Sequence, residues 1–396
     1  MSKKSVAAEA EAPHAPEPRA NPHFEGHDAA EAELAAAAAG GRLHHAWLIS
    51  GPRGIGKATL AFRFARFLLA GGAAAADEGP GLFGPGDGAA PPSGLAVDPR
   101  SPVFQRIAAA GHADLFTLER GFMAEPGSRR KPAAGTDDPR NRRRSRDIAV
   151  GDARKAGEFL NLTAFEGGWR VVIVDGAEDM NRNAANALLK TLEEPPPNAI
   201  LLLVSHAPGR LLPTIRSRCR RLTLDRLPDA TVEGLIQRYR PDIDEADRRA
   251  LARIGEGSIG RALQLADTGG LALYEEMVQQ LAGLPRPEVA RLHGALDAIA
   301  RTRSAAGAFE AYEVFCDLLT TWIMRQVSAR ARGQAALEIM PGEAEVAARL
   351  ADRASLEQWV EVWEKITRLF GRAARLNLDR KQVLLDAFFT LGRALA

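Results

Sequence analysis

The chain has 396 residues, of which 26% are charged and 46% hydrophobic, and a formal net charge of +2. That describes a globular protein with room for two or three domains and no overall electrostatic pull toward nucleic acid. Two cysteines, Cys219 and Cys316, exclude a disulfide framework and a four-cysteine zinc site; with no membrane-length apolar run and no signal-peptide core, the sequence reads as cytoplasmic.

Residues 1–23, rich in Ala, Pro, Glu and Lys, read as a disordered tail. An alanine-rich helix candidate, Ala29–Ala39, follows. Ala46–Leu60, AWLISGPRGIGKATL, reads as a buried strand, a turn carrying Gly51, Gly54 and Gly56, and Lys57 opening a helix to about Ala70. This is the layout of a phosphate-binding P-loop: glycines let the backbone approach, amide N–H groups and the helix dipole hold phosphate, and the lysine adds a point charge. The hydroxyl that should follow the lysine and bind Mg²⁺ is absent, because Ala58 stands there. Thr59, one position late, points to another side of the helix. Nucleotide binding survives such a loss, but the metal placement that phosphoryl transfer needs is weakened.

Residues 71–98 are dominated by Gly, Ala, Pro and Asp and read as a flexible insertion. Asp114–Leu118 resembles a short strand. Residues 129–146 form a basic loop, usually a solvated segment and less often a phosphate contact. Ile148–Phe165 suits a helix with a cap-like Asp152. Val171–Asp175, VVIVD, has the continuous apolar run of a strand covered on both faces, and it ends in a carboxylate where ligands of open α/β sheets gather. Asp175 is therefore the candidate Walker B residue. Gly176 occupies the place of the glutamate that orients water in motor ATPases, and Glu178 and Asp179 are expected to face solvent or to cap the next helix. Asn183–Leu192 reads as a helix, Ile200–Val204 and Arg220–Leu224 as strands, and strands alternating with helices argue for a parallel α/β sheet.

Pro213–Cys219, PTIRSRC, places Arg216 and Arg218 after a short helix candidate, Arg210–Ile215; alone it is a basic turn. Strand signals end near Leu227. Residues 228–270 read as a small helical domain and 271–396 as a purely helical one, where Trp359, Trp363, Ile366 and Phe370, and Leu384, Phe388, Leu391 and Leu395, form core stripes.

Taken together, HHAWLISGPRGIGKATLA, VVIVDGAEDMNRNAANALLKTLEEPPP, LLLVSHAPGRLLPTIRSRC and GEGSIGRAL closely resemble the bacterial clamp-loader AAA+ subunits. The likeness covers residues 24–70 and 148–267, and more loosely the helical C-terminus. It implies a RecA-like α/β P-loop core at 24–227, a helical lid at 228–270 and an all-α collar at 271–396. It also implies a place in a hetero-pentamer with gamma/tau and delta subunits, which loads the sliding clamp onto primed DNA for a replicative polymerase. Any polymerase label belongs to that complex. In the same light Arg218 is a finger acting in trans on a neighbouring ATPase, Ser205 the sensor-1 residue and Arg261 the sensor-2 arginine, whose plain alternative is an exposed helix arginine. Ala58 and Gly176 depart from the motor pattern and favour a stator that holds ATP or ADP without hydrolysing it well. The zinc module of many relatives is replaced by the insertion, so no zinc is expected. The rivals are an active gamma/tau-type motor and a DNA- or partner-binding AAA+ adaptor using the basic loop.

Overall fold

The structure, a computed structural model, describes residues 15–40, 43–72, 94–121, 145, 147–166, 168–301 and 311–396. Residues 1–14 of the expected tail, most of the Gly/Ala/Pro insertion and all of the basic loop but Ser145 lie outside the described residues. The chain divides into two compact units. The first takes in the described residues up to Asp242 together with 256–260; the second takes in 243–255 and 261–396.

Five parallel strands form the first unit's sheet: β1 (Ala46–Ser50), β2 (Leu115–Leu118), β3 (Arg170–Asp175), β4 (Ala199–Ser205) and β5 (Arg220–Thr223). Their order across the sheet is β2-β3-β4-β1-β5. Alternation along each strand explains why the central ones read as unbroken apolar runs. Trp47, Ile49, Val171, Ile173, Ile200 and Leu202 pack on one face, with Leu34 of α1 (Asp28–Ala39) and Leu60 and Phe64 of α2 (Lys57–Leu69). Leu48, Val172, Val174, Leu201 and Leu203 pack on the other, with Ala153 and Ala156 of α4 (Val150–Leu160) and Leu188 and Leu192 of α5 (Arg182–Glu193).

Three local expectations are corrected. Between the insertion and β2 lies a helix not foreseen, α3 (Pro102–Ala108); Ser101 caps it by accepting from the Phe104 amide, Pro102 opens it, and Phe104 and Ile107 are buried. The helix expected to reach Phe165 ends at Leu160. It is capped by Asn161, Ala149 rather than Asp152 is its N-cap, and the loop beyond is held by buried Asp114, which accepts from the Phe165 and Glu166 amides. The tail is not disordered throughout: buried Arg66 donates to the carbonyls of Arg19 and Asn21 at 2.9 and 2.8 Å and stacks over the Phe104 ring, and Arg63 donates to Pro22 O. A guanidinium removed from water needs acceptors, and the segment 19–22 supplies them.

The first unit also contains α6 (Pro213–Arg216) and α7 (Asp229–Tyr239), and the second contains α8 (Glu245–Gly255) and most of α9 (Ile259–Asp267). In the second unit follow α10 (Gly270–Ala282), α11 (Val289–Arg301), α12 (Ala311–Ala331), α13 (Glu343–Ala351), α14 (Leu356–Leu376) and α15 (Arg380–Ala394). Its core includes all four residues of the 384–395 stripe and, from the other stripe, Trp359 and Ile366. Buried Glu343 is its polar centre: the Tyr274 hydroxyl, the Trp322 indole N–H and the Ile339 amide donate to it at 2.6, 3.1 and 2.8 Å. Among the described residues no helix is long and apolar enough to cross a membrane.

Candidate functional site: the P-loop edge of the sheet

Because the strands are parallel, every strand ends at the same edge, and register brings the candidate residues together there. Ser50 at the end of β1 pairs with Ser205 at the end of β4, and Asp175 at the end of β3 pairs with Val204. The loop from Gly51 to Gly56 therefore opens beside Ser205, with Asp175 on the strand beyond it. Two glycines are required by geometry. Gly51 has φ +145°, and a Cβ there would meet Leu224 O at 2.2 Å; Gly56, at φ +100°, turns the chain into α2. The buried His27 ring fixes the loop's far side by a hydrogen bond to Ile55 O at 2.9 Å. Gly260, from the GEGSIGRAL stretch, donates its N–H to Gly54 O at 2.9 Å.

Lys57 is 3% exposed and donates from Nζ to Gly51 O at 2.7 Å and to Pro52 O. Burial pushes its pKa down to about 8, and the carboxylates of Glu178 and Asp175 offset part of that shift. An ammonium held among backbone carbonyls at a helix N-terminus suits a phosphate chain. The cradle fits such a ligand. The cation that normally accompanies it is fitted less well, since Ala58 offers no oxygen. Among the described residues no group of three or more His, Cys, Asp or Glu is placed to hold a metal ion.

Glu178 was expected at the surface or capping α5; it is in the site. The cap of α5 is Asn181, accepting from the Ala184 amide at 2.9 Å. Gly176, at φ +72°, turns the chain after β3, and Glu178 Oε1 then accepts from the His206 amide at 3.0 Å while Oε2 is buried. Burial alone would raise the Glu178 pKa, but bonds from its own and the His206 amide and from the fully buried Ser205 hydroxyl outweigh that and hold it below the usual range. Desolvation and nearby Lys57 lower the His206 pKa. Asp179 makes an ion pair with Arg120 at 3.2 Å.

The remaining two candidates, Arg218 and Arg261, have other partners. Arg218 stands just before β5, whose Arg220 is level with Trp47 near the start of β1. It is thus at the opposite edge of the sheet from Lys57, about 15 Å of strand away. Its guanidinium pairs with Glu193 at 2.9 Å and donates to Thr214 O at 3.0 Å, both partly exposed. Arg261 belongs to the second unit, where it bonds Asp317 of α12 at 2.7 Å and the Thr321 hydroxyl at 2.8 Å.

The fold and this edge define a P-loop protein of the AAA+ type. Residues 93–228 match the family described as DNA polymerase III, delta subunit. The chain is similar to the DNA polymerase III subunit delta' of Pseudomonas aeruginosa, 36% identical over 251 residues, covering 62% of this chain and 63% of that one. It is also similar to the DNA polymerase III subunit gamma/tau of Mycobacterium bovis, 29% identical over 361 residues, covering 85% of this chain and 55% of that one. A solved DNA polymerase III gamma-subunit-related protein from Thermotoga maritima aligns over 92% of this chain and 99% of its own, at 17% identity and a TM-score of 0.37. The chain therefore spans less than two thirds of the length of these two curated relatives. The matches support a delta-prime-type clamp-loader subunit of DNA polymerase III, in line with the resemblance carried by the motifs.

Proposed function

We propose that this chain acts as the stator of a clamp loader, completing a ring with gamma/tau and delta subunits and supplying Arg218 in trans to a neighbouring ATPase. One observation carries this reading: Arg218 sits at the sheet edge opposite the chain's own Lys57, so its guanidinium serves another subunit's phosphates or none. Ala58 and Gly176 support the other half, a P-loop that clasps ATP or ADP while hydrolysing it slowly or not at all. Ser205 touches Glu178 and is the sensor-1 residue of that clasp, and Arg261 is the sensor-2 arginine. The chain is not catalytic by itself; it works in the cytoplasm within a polymerase holoenzyme, through which it reaches the sliding clamp and primed DNA.

The test is reconstitution with gamma/tau and delta subunits. Arg218→Ala is expected to leave assembly intact and to lower the loader's ATPase, since a finger typically contributes about 10³–10⁵ in rate at the site it serves. Unchanged ATPase in the assembled ring refutes the finger. The gamma/tau similarity along most of the chain favours a motor as the second reading. Robust DNA-stimulated turnover by the isolated chain would establish it instead.

A further inference from the structure

The loss of the hydroxyl at Ala58 and the entry of Glu178 into the site act on the same place. The register sets the turn after Asp175 level with Ser205 and His206, and the P-loop opens beside that point. A phosphate chain lying in the cradle with its inner phosphates on the loop amides extends its last phosphate toward the ends of β3 and β4. There it meets Asp175 and the Glu178 carboxylate, whose Oε1 is fixed by the His206 amide and whose Oε2 is buried. In P-loop sites that hydrolyse nucleotide, a divalent cation held by the loop hydroxyl neutralises this crowding. Here that ligand is missing. Among the described residues Lys57 and Arg53 are the cations that act on His206 at this edge; Lys57 sits among the loop carbonyls, and His206 is held toward its neutral form.

We propose that the P-loop discriminates by charge, taking a nucleoside diphosphate in preference to a triphosphate, and that Glu178 sets the preference. The inference rests on the reading of the P-loop as a nucleotide clasp. A third phosphate adds about one negative charge. For like charges on the order of 7 Å apart, an effective dielectric of about 20 gives a repulsion worth a factor of tens. The inner two phosphates, held on the loop amides, lie behind the last one and feel the carboxylate less. A clasp of this kind does not cycle between nucleotide states, which suits a rigid member of a ring.

The experiment is equilibrium displacement of a fluorescent ADP analogue from the full-length chain by ADP and by a non-hydrolysable ATP analogue, in EDTA. The wild type is expected to favour the diphosphate at least tenfold. Glu178→Gln keeps an oxygen for the His206 amide and removes the charge. It should bring the two affinities within about threefold by strengthening triphosphate binding several times more than diphosphate binding. Glu178→Asp keeps the charge and should keep the preference, which separates charge from packing if either variant loosens the turn. Equal wild-type affinities, or a preference that Glu178→Gln leaves intact, overturn the inference. Binding of neither nucleotide overturns it together with the clasp, while the trans finger is judged separately by Arg218→Ala in the assembled loader.

Discussion

Gly51→Ala and Gly56→Ala form a matched pair, because both glycines have positive φ and only one is sterically closed. At Gly56 the added Cβ would meet the Phe24 ring at 3.4 Å, an ordinary contact, so the cost is that of holding alanine at φ +100°. That is about 1–3 kcal/mol. At Gly51 the backbone sits at φ +145° and the Cβ would fall 2.2 Å from Leu224 O and 3.0 Å from Ile55 Cδ1. Leu224 cannot step aside cheaply: it is 1% exposed and its N–H donates to Ser50 O at 2.8 Å, extending the sheet. Overpacking of this kind adds about 1–3 kcal/mol. Gly51→Ala should therefore cost about 4 kcal/mol against about 2 for Gly56→Ala, a large part of a total stability of about 5–15 kcal/mol. Native-state hydrogen exchange at the Leu48, Ile49 and Leu222 amides reads the first unit alone. Equal losses in the two variants, or a larger loss for Gly56→Ala, would refute the close approach of the loop to β5.

Lys57, pushed from 10.5 to about 8 by burial, binds fewer protons folded than unfolded across that window. The first unit should gain stability as pH rises from about 8 toward 10.5, by at most about 3 kcal/mol, and Lys57→Met should remove that slope in urea titrations compared with wild type. In the same window phosphate-ligand affinity of the wild type should fall by up to about tenfold per pH unit; a flat profile contradicts the desolvated ammonium. The thiols of Cys219 and Cys316, both buried and pushed up to about 12, should resist iodoacetamide at pH 8 until the chain is unfolded. Glu193→Gln, which frees Arg218 from a partly exposed ion pair, should change stability by less than about 1 kcal/mol, and a larger thermal-shift loss would mean the pair holds the fold.

What could be read from the residues followed from burial. β1, β3 and β4 are covered on both faces, so AWLIS, RVVIVD and AILLLVS leave no choice of period and only a length typical of strands. Lys57 and Asp175 were placed at one edge by the same reasoning, a glycine turn and a strand end, whereas Ser205 was named only through the family resemblance, and register sets it beside them. α3 escaped because seven residues beside a low-complexity stretch give little periodicity, although Ser101-Pro102 ahead of Phe104 and Ile107 was a start signal with an i, i+3 pair. Glu178 escaped because its inward direction depends on the left-handed Gly176 and on which strand lies next to β3. The second is a fact of topology: β4, the next strand in the chain, runs between β3 and the distant β1, which brings its end to both Glu178 and the P-loop. The ties of Arg261 to Asp317 and Thr321 join residues far apart in sequence and had no local signal at all.

The Arg66 anchor bears on how the protein can be cut. A fragment designed from the hydrophobic pattern would begin at Phe24, just ahead of α1, and would look complete by every strand and helix it kept. It would also take from the Arg66 guanidinium, buried in the full chain, the two carbonyls that accept its hydrogen bonds. Stripping a buried charge of its partners costs about 3–5 kcal/mol, comparable to the whole margin of a weak domain. Soluble expression of the first unit should thus fail or succeed on eight residues that belong to no helix or strand, those from Pro16 to His23. Affinity tags and protease sites belong ahead of them.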